Sequence, residues 1–285
     1  MAAVINTNLA SLNAQRNLTT SQSSLNSSLQ RLSSGLRVNS AKDDAAGLSI
    51  ATRMDAQVRG QTVAIRNAND AISLAQTAEG ALGKITDALQ RMRELAVQSA
   101  NATNESGDRD NLQAEFKQLQ DEITRLTNGT KFNNKALFAG TAGSLTFQVG
   151  AGTDSQDTIT VDEINLTSGS SNAAGVATAA ATGIAISGSA ADNATAAITA
   201  IDTALDQVNT SRATLGAVQN RFESVISSLQ VSVENQSAAK SRILDADFAA
   251  ETANLTRAQI LQQAGTAMLA QANSVPNNVL TLLRG

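Results

Sequence analysis

The sequence predicts a mainly α-helical fold: a long coiled-coil-like helical bundle formed by the N- and C-terminal halves, with a small β-hairpin region between them. Aromatic residues make up only 2% of the 285 residues and proline occurs once, which suits long helices better than a globule with many loops. Apolar residues recur at alternating intervals of three and four in both halves, as on one face of a helix. Between the halves, two short segments alternate apolar and polar residues instead.

The longest apolar stripe, which we name seam 1, lies in the N-terminal half. It keeps its three–four spacing without a break through Ala64, Ala68, Ala71, Ala75, Ala78, Leu82, Ile85, Leu89, Met92 and Ala96. At a rise of about 1.5 Å per residue, this stripe predicts a helical rod of roughly 50 Å. Because the stripe is narrow, the helix has to pack against other helices in coiled-coil fashion.

Two further stripes predict the partner helices. Seam 2 consists of Leu112, Phe116, Leu119, Ile123 and Leu126. Seam 3 consists of Ala197, Ile201, Ala204, Val208, Ser211, Leu215, Val218, Phe222, Val225 and Leu229. Since seam 3 lies in the C-terminal half, the chain is expected to leave the bundle and return to it.

The two ends of the chain carry apolar stripes that have no further core to join. Helices of this kind are marginal alone in water, so we interpret the stripes as a self-assembly surface. Its residues are Ile5, Leu9, Leu12, Leu25, Leu29, Leu32 and Leu36 at the N-terminal end, and Leu261, Met268, Val275, Val279 and Leu282 at the C-terminal end. Pro276 is expected to end or kink the last helix.

The middle of the chain has a different texture. The segments "SLTFQVG" and "DTITV" flank "GAGTDSQ", and their period-two alternation predicts a β-hairpin within about 137–166. Residues 167–193 are rich in alanine, serine, threonine and glycine, which predicts a short, weakly ordered insert.

The stretch "SSGLRVNSAKDDAAGLSIATRM" (33–54) could be an acid–base site, an ion-binding loop or a joint between helices. On a helix, Asp43 and Asp44 would point about 100° apart, and no third carboxylate lies within a loop's length. Glycine suits a helix end, serine a cap and aspartate a new helix start, which favours the joint. The candidate joint residues are Gly35, Asn39, Lys42, Asp43, Asp44 and Gly47.

Composition argues against an enzyme. The chain has no cysteine and no histidine, which excludes histidine-based triads, cysteine nucleophiles and the usual zinc sites. We expect no catalytic residue, no cofactor and no metal. A net charge of −4 without a basic cluster argues against nucleic acid. The N-terminus does not have the pattern of a cleaved signal peptide, and no 18-residue apolar run predicts membrane insertion.

Several segments resemble the N-terminal region of bacterial flagellin. They are "INTNLASLNAQRNL", "LQRLSSGLRVNSAKDDAAGLSIATRM", "NANDAISLAQTAEGAL", "LQRMRELAVQSAN" and "FNNKALFAG". The segments "LGAVQNRFESVISSL", "SRILDADFAAETANLTRAQILQQAGTAMLAQAN" and "VPNNVLTLLRG" resemble its C-terminal region. Together they cover roughly 1–165 and 195–285, in the family's order.

The resemblance implies a structural subunit of the flagellar filament, in a minimal form without large outer domains. It implies an inner terminal coiled-coil domain (1–43 and 243–285), a helical rod domain (44–166 and 194–242) and the insert 167–193. The partners implied are other copies in a helical homopolymer, an export chaperone, and hook–filament junction and cap proteins. Location would be extracellular, after flagellar type III export without a cleaved signal peptide. A peptidase carried by the insert and a hook–filament junction or cap-type axial protein are the alternatives.

The segment "LQRMRELAVQSAN" (89–101) has two interpretations. On spacing alone, Arg91, Leu95 and Gln98 lie outside seam 1, and a solvated helix face is the simpler interpretation. The resemblance instead implies a face that the host's Toll-like receptor 5 binds in many flagellins. The residues matching that motif are Gln90, Arg91, Leu95, Gln98, Glu115 and Arg221.

Overall fold

The computed structural model describes residues 7–138, 143–162, 164–167, 174–180, 184–188 and 192–282. The helices are α1 (Leu9–Ser34), α2 (Ala45–Ser99), α3 (Ser106–Gly129), α4 (Ala174–Ala180), α5 (Asp192–Leu244) and α6 (Phe248–Leu282). The strands are β1 (Lys131–Phe132), β2 (Lys135–Ala136), β3 (Leu145–Gln148) and β4 (Thr158–Val161). This is the mainly α fold, with a small β region, that the sequence predicts.

The chain divides into two compact units. Unit 1 comprises Met1–Ala56 with Glu234–Gly285, and unit 2 comprises Gln57–Val233. These limits fall inside α2 and α5, whereas the domains expected from the family resemblance divide at 43/44 and 242/243. The domain assignment therefore stays a prediction.

Seam 1 forms the centre of unit 2. From Ala64 to Ala96 each of its residues is at most 2% exposed. Along α5, the seam 3 residues Ile201, Ala204 and Val208 are fully buried. Polar contacts show that α5 runs antiparallel to α2, since Gln61 donates to Ser232 near one end and Arg93 pairs with Asp202 near the other.

Helix α3 covers the leucine-rich half of seam 1. Phe116 and Ile123 of seam 2 are fully buried, and they belong to the same cluster as Leu82, Leu89 and Met92. The remaining residues of seam 2, namely Leu112, Leu119 and Leu126, pack against this cluster while half-buried. The three predicted seams therefore meet in one core.

The insert differs from its expectation. Val176, Ala179 and Ile186 are fully buried in the same core, so the expectation of weak order is wrong for 174–180 and 184–188. Side chains of the surrounding helices bind the insert's backbone. Gln113 accepts from the Ile186 amide at 2.6 Å, and the Ser99 hydroxyl donates to the Ile186 carbonyl at 2.5 Å. These bonds explain the order, since buried backbone groups need partners.

The predicted hairpin is confirmed. Strands β3 and β4 pair antiparallel, with Phe147 opposite Ile159. The Phe147 ring meets the Phe222 ring of α5 edge-on, with centroids 5.7 Å apart, which is a favoured aromatic geometry. A second, shorter hairpin that the sequence analysis missed joins β1 to β2. Its turn residues, Asn133 and Asn134, both have positive φ, as a two-residue hairpin turn requires.

Unit 1 contains the antiparallel pair of α1 and α6. Leu25, Ala258 and Ala272 are its buried apolar residues. The helices approach closely at Gly265, where a Cβ would lie 3.2 Å from the Leu18 side chain. Helix α6 continues past Pro276 to Leu282, so Pro276 does not end the helix, and the alternative expectation of a kink stays a prediction.

The hairpin loop in unit 2 depends on a glycine of α2. A Cβ on Gly60 would lie 2.7 Å from the Ala151 Cβ, whereas Gly80 has nothing within 4 Å of its added Cβ. We expect Gly60→Ala to lower the free energy of unfolding by about 1 kcal/mol or more, because the loop has to move away.

The matched variant Gly80→Ala should raise the same free energy by roughly 0.5–1 kcal/mol, since alanine is the better helix residue. Denaturant unfolding followed by circular dichroism measures both changes. A stabilised Gly60→Ala protein would contradict the close approach.

Candidate assembly interface

Helix α1 exposes most of its predicted assembly residues. Leu9 is 68% exposed, Leu12 51% and Leu29 46%. Leu25 is instead buried against α6, while Leu32 and Leu36 are half-buried. Ile5 lies outside the described residues. Leucines with this much exposure are out of keeping with the buried seams of unit 2, and together they mark a surface available to a partner.

Helix α6 shows the same pattern. Leu261 is 51% exposed and Met268 is 64% exposed. Two neighbours that the sequence analysis did not single out, Ile260 and Phe248, are 59% and 58% exposed. The predicted assembly residues Val275, Val279 and Leu282 lie within α6, but their side chains are outside the described set.

Polar contacts fix how α1 and α6 align. Asn8 donates to the Ala272 carbonyl at 2.8 Å, and Gln262 donates to Gln22 at 2.6 Å. Towards the other end, Arg31 lies 3.8 Å from the Glu251 carboxylate. A groove of about 490 Å³ follows the pair; its lining includes Ser24, Ser28, Arg31, Glu251, Arg257 and Leu261.

Residues 35–44 connect α1 to α2, as the interpretation of a joint between helices predicts; that the same residues form a joint between two domains stays a prediction. Gly35 ends α1 with φ 71°, and its amide donates to the Arg31 carbonyl. This left-handed conformation is one that glycine adopts without strain. The second connection, between α5 and α6, pairs with the first. The amides of Arg37 and Ala246 donate to the Leu244 and Gly35 carbonyls, respectively. The sequence analysis did not identify this second half of the joint.

Aspartates organise both connections. Asp43 accepts from the amides of Asn39 and Ser40 and from the Ser40 hydroxyl. Asp44 accepts from the Gly47 amide at 2.8 Å and caps α2. The cap is therefore an aspartate, as the expectation for a new helix start has it, and not a serine. Asp247 caps α6 in the same way, through the Ala249 amide.

These bonds account for the carboxylates without an ion. Each aspartate of the first connection accepts from backbone amides, Asp44 as the cap of α2 and Asp43 within the turn before it. Among the described residues, no cluster of three or more metal-ligating side chains occurs. The exposed Lys42 lies between Ser40 and Asp43 in the turn.

The candidate receptor residues on α2 and α3 form an exposed ion-pair cluster. The Arg91 guanidinium donates to Glu115 of α3 and to Glu94 of α2, each at 2.9 Å. These bonds, that to Glu115 first, raise the pKa of Arg91 above its ordinary value. Gln90 and Gln98 are also exposed.

Leu95 does not belong to this surface. It is 1% exposed, so the expectation that it lies outside the core beside Arg91 is wrong. One turn further on, Ser99 is also buried, because its hydroxyl binds the Ile186 carbonyl. The insert thus covers a side of α2 that the spacing of seam 1 leaves open.

Arg221 lies apart from the Arg91 cluster. It is exposed on α5, two positions beyond Gln219, which donates to Glu79 at 3.0 Å. Because α5 runs antiparallel to α2, Arg221 lies opposite a position near Thr77 on α2. At about 1.5 Å per residue, this is about 20 Å from Arg91 along α2. The six candidate receptor residues thus do not form one compact patch.

Comparison with known families decides the identity. Residues 5–143 match the bacterial flagellin N-terminal helical region, and residues 198–283 match the bacterial flagellin C-terminal helical region. The chain belongs to the bacterial flagellin family. Flagellins are structural proteins of the flagellar filament and assemble with themselves, which agrees with the exposed apolar faces of α1 and α6.

Individual relatives support the short form of this flagellin. It is 46% identical to a flagellin of Xenorhabdus nematophila over 100% of both chains. It is 54% identical to a flagellin of Salmonella typhimurium over 58% of this chain but only 33% of the relative. A solved flagellar hook-associated protein of Vibrio parahaemolyticus has the same fold (TM-score 0.57, 16% identity), covering 71% of this chain and 100% of that one.

This flagellin is a minimal form without the large outer domains of longer relatives. Among the described residues, no helix is both long and apolar enough to cross a bilayer.

The joint of this flagellin should respond to acid through Asp43. The Ser40 hydroxyl, followed by the amides of Ser40 and Asn39 and the charge of Arg31, lowers the pKa of Asp43 below its ordinary 3.8. A carboxylate with a lowered folded-state pKa stabilises the fold above its unfolded-state pKa and loses this contribution as pH falls through the folded-state pKa. We expect the Asn39 and Ser40 amide signals to titrate below pH 3.8 in an NMR experiment.

Ser40→Ala removes the largest cause of the shift and should raise the midpoint towards the ordinary value. A midpoint at or above 3.8 in the parent protein would rule out the hydrogen bonding described for Asp43.

Proposed function

We propose that the exposed apolar residues of α1 and α6 are the contacts through which this flagellin polymerises. Leu9, Leu261 and Met268 are each more than half exposed in the single chain. Burial of such a side chain stabilises an interface by about 1.5–3 kcal/mol. The inner terminal domain formed by 1–43 and 243–285 is the proposed core of the filament, and 44–166 with 194–242 form the proposed rod domain.

The alternative role is that of a hook–filament junction or cap-type axial protein. The solved structure from Vibrio parahaemolyticus is that of a flagellar hook-associated protein, but at 16% identity it supports only the fold. The match to a flagellin over the full length of both chains favours the filament subunit. Long filaments grown from purified protein on short seeds would separate the two roles.

The same surfaces suggest how the subunit is handled before assembly. Exposed Ile260, Leu261 and Met268 on α6 would promote aggregation if they met other proteins on the way. We infer that a flagellar export chaperone covers them and that the chain leaves by the flagellar type III route without a cleaved signal peptide. Hook–filament junction and cap proteins are the proposed partners at the two ends of the filament.

We also propose that the free subunit is recognised by host Toll-like receptor 5. The support is the family resemblance together with the exposed cluster of Arg91, Glu115 and Gln90. Arg91 is held by two carboxylates, so its guanidinium is ordered before binding, which lowers the entropy cost of recognition. Arg221 would then be a second, separate contact about 20 Å away along the rod.

Polymerisation should require both terminal helices. Deletion of 1–40 or of 250–285 removes one member of the α1–α6 pair, and we expect no sedimentable filaments after seeding. Unit 2 should keep its helical circular dichroism, because its core uses none of the deleted residues. Normal filaments from either truncated chain would contradict the proposed role.

A point variant sharpens this test. Leu261→Gln with Met268→Gln should lower the sedimented fraction at least fivefold. Val231→Gln serves as the control, since Val231 is 55% exposed but lies on α5 within unit 2. Equal loss in both proteins would point to a general effect of polar substitution.

Receptor binding should depend on Arg91. We expect Arg91→Ala to weaken binding to the receptor ectodomain at least tenfold, about 1.4 kcal/mol, with unchanged circular dichroism because the side chain is half exposed. Leu95→Ala is unsuitable, since truncation of a buried leucine costs about 2–5 kcal/mol of stability.

Arg125→Ala is the matched control, because Arg125 is an exposed arginine paired with Glu122. A titration of each protein against the ectodomain gives the affinities. Equal affinity for Arg91→Ala and the parent would show that this cluster is not the receptor contact.

A further inference from the structure

Helix α6 contains a backbone carbonyl that has no amide partner within the helix. In an α-helix the carbonyl of residue i accepts from the amide four positions on. The amide due to the Ala272 carbonyl is that of Pro276, and proline has no N–H. Yet α6 continues to Leu282, and Ala272 is only 9% exposed. A carbonyl in this position needs a donor from elsewhere.

Asn8 supplies that donor from the other helix. Its side-chain Nδ2 donates to the Ala272 carbonyl at 2.8 Å. The Oδ1 of the same amide accepts from the Ser11 backbone amide at 3.1 Å, so Asn8 is also the N-cap of α1. Beside it, the Ser11 hydroxyl donates to Asn273 at 2.7 Å. One side chain therefore completes the hydrogen bonding of two helices.

We propose that Asn8 is a positioning residue that sets the register of α1 on α6 by pairing with the carbonyl freed by Pro276. The usual N-cap residues are serine, threonine, aspartate and asparagine. Aspartate has no donor, and serine and threonine carry donor and acceptor on one short hydroxyl, whereas asparagine carries them on two separate atoms. Here Oδ1 of Asn8 bonds α1 and Nδ2 reaches α6, so asparagine suits position 8 when proline is at position 276. The consequence for polymerisation rests on the proposed filament role, but the pairing itself does not.

Asn8→Asp separates the two tasks of the side chain. Aspartate keeps the cap acceptor for Ser11 but removes the donor and places an oxygen near the Ala272 carbonyl. Asn13→Asp is the control for added charge, because Asn13 is an exposed residue of α1. Pro276→Ala restores an amide to α6, so the Ala272 carbonyl no longer needs Asn8. The double variant Asn8→Asp/Pro276→Ala tests the coupling.

Two measurements are made on all four variants and the parent chain. Amide exchange is labelled for milliseconds to seconds at low temperature, because helices that are marginal alone slow exchange only on this timescale. Mass spectrometry on peptides from 9–20 and 262–272 of the unassembled chain then reads the pairing without filaments. We expect Asn8→Asp to exchange at least threefold faster than the parent there, and Asn13→Asp to match the parent. The double variant should exchange like Pro276→Ala. Seeded polymerisation, read by sedimentation, should fall at least fivefold for Asn8→Asp and recover in the double variant.

The outcomes distinguish this inference from the filament role. If the parent chain fails to polymerise, the filament role is wrong, and the exchange rates still decide the pairing. If Asn8→Asp exchanges like Asn13→Asp, or if the double variant is no better than Asn8→Asp, the pairing between Asn8 and the carbonyl freed by Pro276 is overturned.

Discussion

The rest of unit 2 depends on the burial of seam 1. The residues of this seam change in size along α2, and different neighbours pack on its two halves. The alanine half, around Ala68 and Ala71, leaves room for the β3–β4 hairpin and the Phe222 ring, which form one cluster with it. The leucine half packs instead with α3 and the insert, where Phe116 and Phe138 fill the space. With six phenylalanines and neither tryptophan nor tyrosine, the chain fills its core by matching small residues to close neighbours and larger ones to wider gaps.

Much of this arrangement can be predicted from the sequence, because the spacing of apolar residues indicates which face of a helix or strand is buried. The stripe from Ala64 to Ala96 predicts the buried face of α2, and alternation in "SLTFQVG" and "DTITV" predicts the hairpin. The joint is also predictable, since glycine and aspartate have specific roles at helix ends. Which residue caps α2 is harder to predict, since Ser40 and Asp44 have similar capping preferences and the outcome depends on where the loop turns.

The errors have a common physical cause, which is that polar contacts between distant segments leave no periodic signal. The described part of the insert bonds to Gln113 and Ser99 through the backbone of Ile186, and such bonds need no apolar pattern in the insert itself. Leu95, whose spacing alone suggests a surface position, is buried in the same cluster as Ile186 of the insert. Likewise, α6 continues past Pro276, and the carbonyl that this proline leaves without an amide partner accepts from Asn8, a residue at the opposite end of the chain. In each case the deciding partner is more than 70 positions away.

Unit 2 buries its apolar stripes, whereas unit 1 leaves many of its apolar residues exposed. This difference connects the fold to the family's role. Unit 2 buries its seams within one chain, so it can stay folded whatever its surroundings. The α1–α6 pair of unit 1 buries Leu25 and Ala258 but leaves Leu9, Leu261 and Met268 exposed. Hydrophobic burial alone is non-directional and would allow many ways of association. Serines along the α1–α6 groove, together with Arg31 and Arg257, place polar groups beside those apolar residues. Since an unpaired polar group is costly to bury, only a neighbour that matches both patterns can pack there. A helical polymer needs this selectivity, because every subunit has to repeat the same contacts.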